Sequence, residues 1–208
     1  MAFPIDLTAV LTGTSVSQLT RWRQRGLVVP EIQDTNPAVY SFRDLVAIRT
    51  VAFLRSQISL QKIRKAYANL DPLAFTEHPS QYRFGTDGKS IGVADEEGRV
   101  VDLVKAPGQI SLFTFEEVFD SFVNRSGREV VNFLRPRAHL EVLPGRVGGW
   151  PTVDGTRVTY DTIASLVDND TITVEEVPLY YPSVSVAGAA DALSFDAEVR
   201  SMKRGLAA

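Results

Sequence analysis

Near the front of the chain, Ser17, Gln18, Arg21 and Arg25 fall at helical spacing within the run from Thr14 to Pro30. Val16, Leu19 and Trp22 recur at i, i+3 and i+6 in the same run, so they predict the buried side of a helix and leave the four polar residues facing outward. Guanidinium groups on an exposed helix face can grip a guanine edge or a phosphate through paired hydrogen bonds. Arg23 lies angularly nearer the apolar side, so no base contact is assigned to it. Lys62, Arg64 and Lys65 add charge for contacts to a nucleic-acid backbone. Material for other chemistry is scarce. There is no cysteine, and the two histidines, His78 and His139, have no neighbouring carboxylate at ligand spacing in the sequence. Phosphate-loop, nucleophile-elbow, dinucleotide and zinc-protease motifs are all missing. The expectation is a binding protein, not an enzyme, with no metal and no cofactor.

Charge supports that placement. The formal net charge of -3 hides a split: residues 1–72 carry nine Lys/Arg against five Asp/Glu, and residues 73–208 carry thirteen against twenty. Phosphate binding therefore belongs at the front. No apolar run approaches the roughly 18 residues of a membrane span, and the start lacks a basic and then apolar leader. A cytoplasmic protein without membrane contact is expected.

The elements that position the basic face begin with a short helix over Ile5–Leu11, stopped by Gly13. A second helix is opened by the cap candidate Ser15 and closed by Gly26. Leu27 to Phe42 reads as a two-stranded ribbon around Asp34-Thr35-Asn36-Pro37, and two helices follow, to about Arg55 and over Leu60–Leu70. Short alternating runs at Tyr82–Phe84, Ser90–Val93 and Val100–Val104, with turns at Thr86-Asp87-Gly88 and Glu96-Glu97-Gly98, predict a small β-meander. A helix near Thr114–Asn124 then carries an aromatic stripe of Phe115, Val118, Phe119 and Phe122, a candidate for core or for the interface of a homodimer. A basic run from Arg125 to Arg137 follows it. The last part passes through a Gly-rich hairpin into helices at Asp161–Val167, Val174–Leu179 and Val186–Val199.

The first seventy residues resemble the winged DNA-binding domain of the MerR family. Ser15, Leu19, Trp22, Gly26, Leu27, Pro30, Tyr40 and Asp44 match its frame of turn, second helix, Gly-Leu exit and wing. Thr20, Arg21 and Arg23 depart from it, standing where the family usually has Arg, Tyr and Glu. The resemblance implies double-stranded operator DNA as partner, with a sequence preference of its own.

The stretch Gly148 to Val158 resembles the small helical domain of VapB-type antitoxins, whose hallmark hairpin is met by Gly149, Pro151, Gly155, Thr156 and Arg157. Thr159 stands where that family usually has Pro. This second resemblance implies an antitoxin that represses its own operon and neutralises a PIN-like ribonuclease toxin. Residues 141–208, with five basic and ten acidic side chains, suit a basic, RNA-binding partner better than DNA. Arg157, Arg200, Lys203 and Arg204 are the candidate toxin-binding residues, the last three on a C-terminal tail. For Arg157 a structural salt bridge or helix cap within the hairpin is the stronger alternative.

The expected architecture is α+β and mainly helical. It comprises an N-terminal winged helix-turn-helix over residues 1–72, a small mixed segment over 73–140 that dimerises or links, and a C-terminal three-helix domain over 141–208. The rival functions are a non-catalytic interaction adaptor and a simple MerR-like regulator without a toxin partner.

Overall fold

The computed structural model describes residues 2–95, 97–104, 112–167 and 171–204, with residues 203 and 204 described by backbone alone. Strand β1 (Phe3–Pro4) leads into helix α1 (Ile5–Thr12), which ends at Gly13 with a left-handed φ of 70°. Every residue of α1 from Asp6 to Thr12 is buried. A helix enclosed on all sides needs neighbours on all sides, and α1 has them at both ends of the chain. Helix α2 (Val16–Gln24) starts in a reciprocal capping box in which Ser15 and Gln18 satisfy each other's backbone N–H. Gly26, at φ 65°, ends the turn that follows.

The expected ribbon is reduced. Strand β2 (Val39–Tyr40) pairs antiparallel with β1, and across the wing only Gln33 bridges Val39. Val28-Val29-Pro30 is not a strand: Val28 and Pro30 turn inward while Val29 is exposed. Helix α3 (Phe42–Gln57), capped by Ser41 and Asp44, is the axis of the molecule, with most of its residues from Asp44 to Leu54 buried. Helix α4 (Leu60–Ala68) begins at the Ser59 cap.

The middle segment is anchored to these helices. Strands β3 (Phe84–Thr86), β4 (Ile91–Ala94) and β5 (Val100–Asp102) form the antiparallel meander in sequence order. Glu96, expected in its second turn, lies outside the described residues. Tyr67 of α4 stacks on Phe84 at 5.3 Å. Helix α5 (Phe115–Phe119) is shorter than expected, because at Asp120 the backbone becomes extended and leads into the hairpin β6 (Phe122–Val123) and β7 (Glu129–Val130). The aromatic stripe is therefore divided between helix and strand, and it faces inward. Phe119 stacks on Phe133 at 5.1 Å, Phe122 meets Phe53 edge-on at 5.2 Å, and Val118 is buried. Only Phe115 keeps notable exposure. Intramolecular packing, not a second copy, takes most of this surface.

One side chain fixes the segment in place. Arg49 of α3 is fully buried and donates to the carbonyls of Val118 (2.9 Å), Asp120 (2.7 Å) and Val131 (2.8 Å), with its guanidinium 4.7 Å from the Phe122 ring centre. Burial pushes its pKa down to about 9, so it is still charged at neutral pH.

The C-terminal part consists of the hairpin β8 (Leu140–Glu141) and β9 (Thr152–Val153), helix α6 (Tyr160–Leu166), the short α7 (Val177–Tyr180) and the long α8 (Val186–Arg204). Helix α8 packs on both α6 and α1. A ladder of rings crosses the same boundary: Trp150 lies between Phe3 (5.4 Å) and Tyr160 (6.4 Å), and Tyr160 meets Phe195 at 4.9 Å. Most of the buried apolar residues form one cluster running from Phe3 to Val199.

Candidate nucleic-acid interface

Helix α2 displays the face its sequence pattern requires. Val16, Leu19 and Trp22 are 6 %, 2 % and 3 % exposed, while Ser17, Arg21 and Arg25 face solvent. Arg21 is oriented by its own helix, its Nε donating to the Ser17 carbonyl at 3.1 Å and leaving the outer guanidinium nitrogens forward. Gln18 is half-buried, and its carbonyl oxygen accepts from the Ser15 N–H at 2.9 Å, so its first duty is the cap. Arg23 turns sideways to the wing, donating to the Thr35 carbonyl at 3.0 Å with Asp34 alongside at 3.7 Å. It braces the wing against α2, a role its sideways angle admitted but the sequence could not name.

The backbone-contact candidates on α4 divide. Lys65 is exposed, whereas Lys62 caps the Lys89 carbonyl at 2.5 Å. Arg64 points into a cleft of about 990 Å³ between α2, α4 and residues 71–79, where its Nε and Nη2 are buried without partners. Glu31, Glu77 and Asp71 share that cleft, which makes its charge mixed. The sequence also missed how far the head's formal charge is offset or hidden. Arg49 is buried, and Arg43 is paired with Glu31.

Both histidines acquire the carboxylate neighbours that the sequence did not show. Glu31, Asp44 and His78 bring ligand-capable atoms within 4.8 Å of one another. Nδ1 of His78 accepts the Ser80 N–H, which assigns the proton to Nε2, 3.3 Å from Asp44 Oδ1. The other Asp44 oxygen accepts from the backbone of Ser41 (2.7 Å) and Glu31 (3.0 Å), and Glu31 itself holds Arg43 and Ser41. These lone pairs are already engaged in locking the loop at 78–80 to the start of α3. His139 similarly pairs with Asp191 of α8 at 2.9 Å.

At the other end, Arg157 is exposed and makes none of the ion pair expected within its hairpin; Arg146 and the Gly155 N–H instead converge on Glu141. Arg200 is not on a loose tail. It lies in α8, which runs unbroken to Arg204, and it pairs with Asp196 at 2.5 Å. The side chains of Lys203 and Arg204 lie outside the described residues.

Residues 3–70 match the sequence model of the MerR HTH family regulatory proteins. This stretch is a MerR-family helix-turn-helix domain. Residues 141–195 match a second family, described only as a protein of unknown function, DUF433. No curated protein and no solved structure matches the chain. The MerR-family domain ends at α4, and the hairpin of β6 and β7, outside both matches, returns to stand beside its helix-turn-helix turn. Among the described residues no helix is long and apolar enough to cross a membrane.

Proposed function

We propose that the chain is a non-catalytic, DNA-binding repressor that reads its own operator as a homodimer and whose DUF433 domain holds a PIN-like ribonuclease toxin. The observation that carries the DNA half is the face of α2, where Ser17, Arg21 and Arg25 point outward from a helix whose opposite side is locked into the core. Such a helix can enter a major groove, and paired half-sites supply the contact number that a single winged module lacks. The aromatic stripe is engaged within the subunit, so pairing uses other surfaces.

The toxin half rests on the resemblance of the 148–158 hairpin, on the acidic balance of residues 141–208, and on an apolar step at Leu179 and Tyr180, which are 78 % and 56 % exposed. An acidic module with a bare apolar anchor suits a basic, RNA-binding protein. Arg157, which forms no ion pair among the described residues, is available to meet that partner's carboxylates. An adaptor that ignores DNA is the competing function, and the exposed arginines of α2 weigh against it.

The test is anisotropy titration of a duplex from the region upstream of the chain's own gene. Binding that falls steeply with salt, and is lost in Arg21→Ala, Arg25→Ala, is the expected result. Equal binding by that variant would overturn the assignment. Co-purification and inhibition of the adjacently encoded nuclease test the second half separately.

A further inference from the structure

We propose that the β6–β7 hairpin is a second wing: Arg125 and Arg128 at its tip, together with Arg55 of α3, clamp a backbone phosphate of the DNA whose groove α2 enters. The clamp rests on the DNA-binding assignment above. It adds a contact from a segment that lies outside both family matches.

The hairpin is placed by close contact. Val130 of β7 lies directly on Gly13, the residue that turns α1 into α2, and any side chain at that position would collide with it. The tip is stiff as well, because Asn124 Oδ1 accepts the N–H groups of Ser126 (3.0 Å) and Arg128 (3.1 Å). Arg125 is steered by a 3.4 Å contact from its Nη1 to the Ile58 carbonyl just beyond α3.

Between this tip and the helix-turn-helix is a cleft of about 230 Å³, lined among others by Thr14, Gln18, Arg55, Arg125, Ser126 and Arg128. It contains three guanidinium groups and no carboxylate. Among the described residues, none of the three arginines forms an ion pair. Three like charges gathered without a counter-charge repel one another until an anion enters. The anion that this position would meet is a phosphate. Gln18 borders the cleft from the first turn of α2, so a duplex lying along the exposed face of that helix carries its sugar-phosphate backbone past the helix N-terminus and across the cleft mouth. The backbone N–H dipoles at that helix start favour the same charge. Both tip arginines are solvent-exposed and can reach the phosphate without rearrangement of the core.

The experiment measures salt-dependent binding of the full chain to a duplex from its own upstream region and to a random-sequence duplex of the same length. In Arg125→Ala, Arg128→Ala the plot of log affinity against log salt should become shallower by about 1 per arginine on both duplexes, because phosphate contacts carry no sequence information. Arg125→Lys, Arg128→Lys should recover most of the slope. Arg21→Ala should instead lose affinity mainly on the upstream duplex. An alanine variant with wild-type slope, alongside a weakened Arg21→Ala, overturns the clamp alone; a wild-type chain that binds neither duplex overturns the DNA assignment and the clamp with it. If inorganic phosphate raises the melting temperature of wild type but not of the alanine variant, and the DNA slope is unchanged, the cleft is a free-anion site and the DNA clamp is wrong.

Discussion

A Cβ built on Gly13 would lie 2.2 Å from Cγ1 of Val130, a separation that no real side chain tolerates. Gly13 therefore has two duties, the left-handed φ of 70° that ends α1 and the bare surface that seats β7. Gly13→Ala combines a conformational penalty with overpacking, and a loss of about 2–4 kcal/mol is expected in urea denaturation. Adding Val130→Ala should restore the overpacking share and leave the φ penalty. A double variant no more stable than Gly13→Ala would show that the contact is unimportant.

Arg49→Met should cost about 3–5 kcal/mol, because the carbonyls of Val118, Asp120 and Val131 lose their donor inside the protein. Arg49→Lys keeps the charge but not the planar fork, so its cost should fall in between. Thermal melts of the two variants check the order. Hydrogen exchange should report faster opening at residues 118–131 before the rest of the chain.

Burial raises the pKa of three tyrosines: Tyr40 to about 12, and Tyr67 and Tyr160 further still. Above the ordinary value of 10.0 the unfolded chain loses these protons while the folded chain keeps them, so the folded state binds more protons and its stability falls as pH rises. Ultraviolet absorbance of tyrosinate should therefore show a delayed fraction that appears together with the loss of helical circular dichroism. Smooth ionisation of every tyrosine in the folded state near pH 10.0 would contradict the burial.

Arg21 and Arg23, two residues apart, should fail in different ways. Arg21→Ala should cost about 1–3 kcal/mol of operator binding, concentrated at one base position, with folding stability unchanged. Arg23→Ala releases Asp34 and Thr35 of the wing and should lower affinity without changing base preference. Base-substituted operator duplexes separate the two outcomes.

Leu179→Asp, Tyr180→Asp should alter folding stability by no more than about 0.5 kcal/mol, since both side chains are exposed. The same change should weaken capture of the ribonuclease by about 2 kcal/mol or more if these residues anchor it. Isothermal titration with the purified nuclease measures it. Truncation from residue 196 is a poor test of the same surface, because it removes buried Val199 and the partner of Arg137, Glu198.

The sequence reveals most where local rules act alone. The Ser15 cap, the apolar side of α2, the Gly26 stop and the three-stranded meander each depend on neighbours within a few residues. Contacts across long sequence separation were hidden from it. Nothing near Arg49 indicates that its partners lie some seventy residues on, and Asp44 and Asp191 reach their histidines only through folding. The tip arginines Arg125 and Arg128 read as part of a diffuse basic run until Val130 is seen to rest on Gly13. The aromatic stripe illustrates the opposite error: helical periodicity carried it past Asp120, where the chain had already become a strand.

The packing of α8 on α1 has a consequence for synthesis on the ribosome. Phe3 stacks on Trp150, and α1 is enclosed partly by a helix that begins at Val186, so α1 waits for α8 before its apolar surface is covered. Contacts of such separation form slowly, and the nascent N-terminal part stays exposed to chaperones and proteases throughout translation. A chain stopped before Val186 would lack the helix that covers α1, so on the DNA-binding role proposed above it should hold duplex less well than a chain that includes α8.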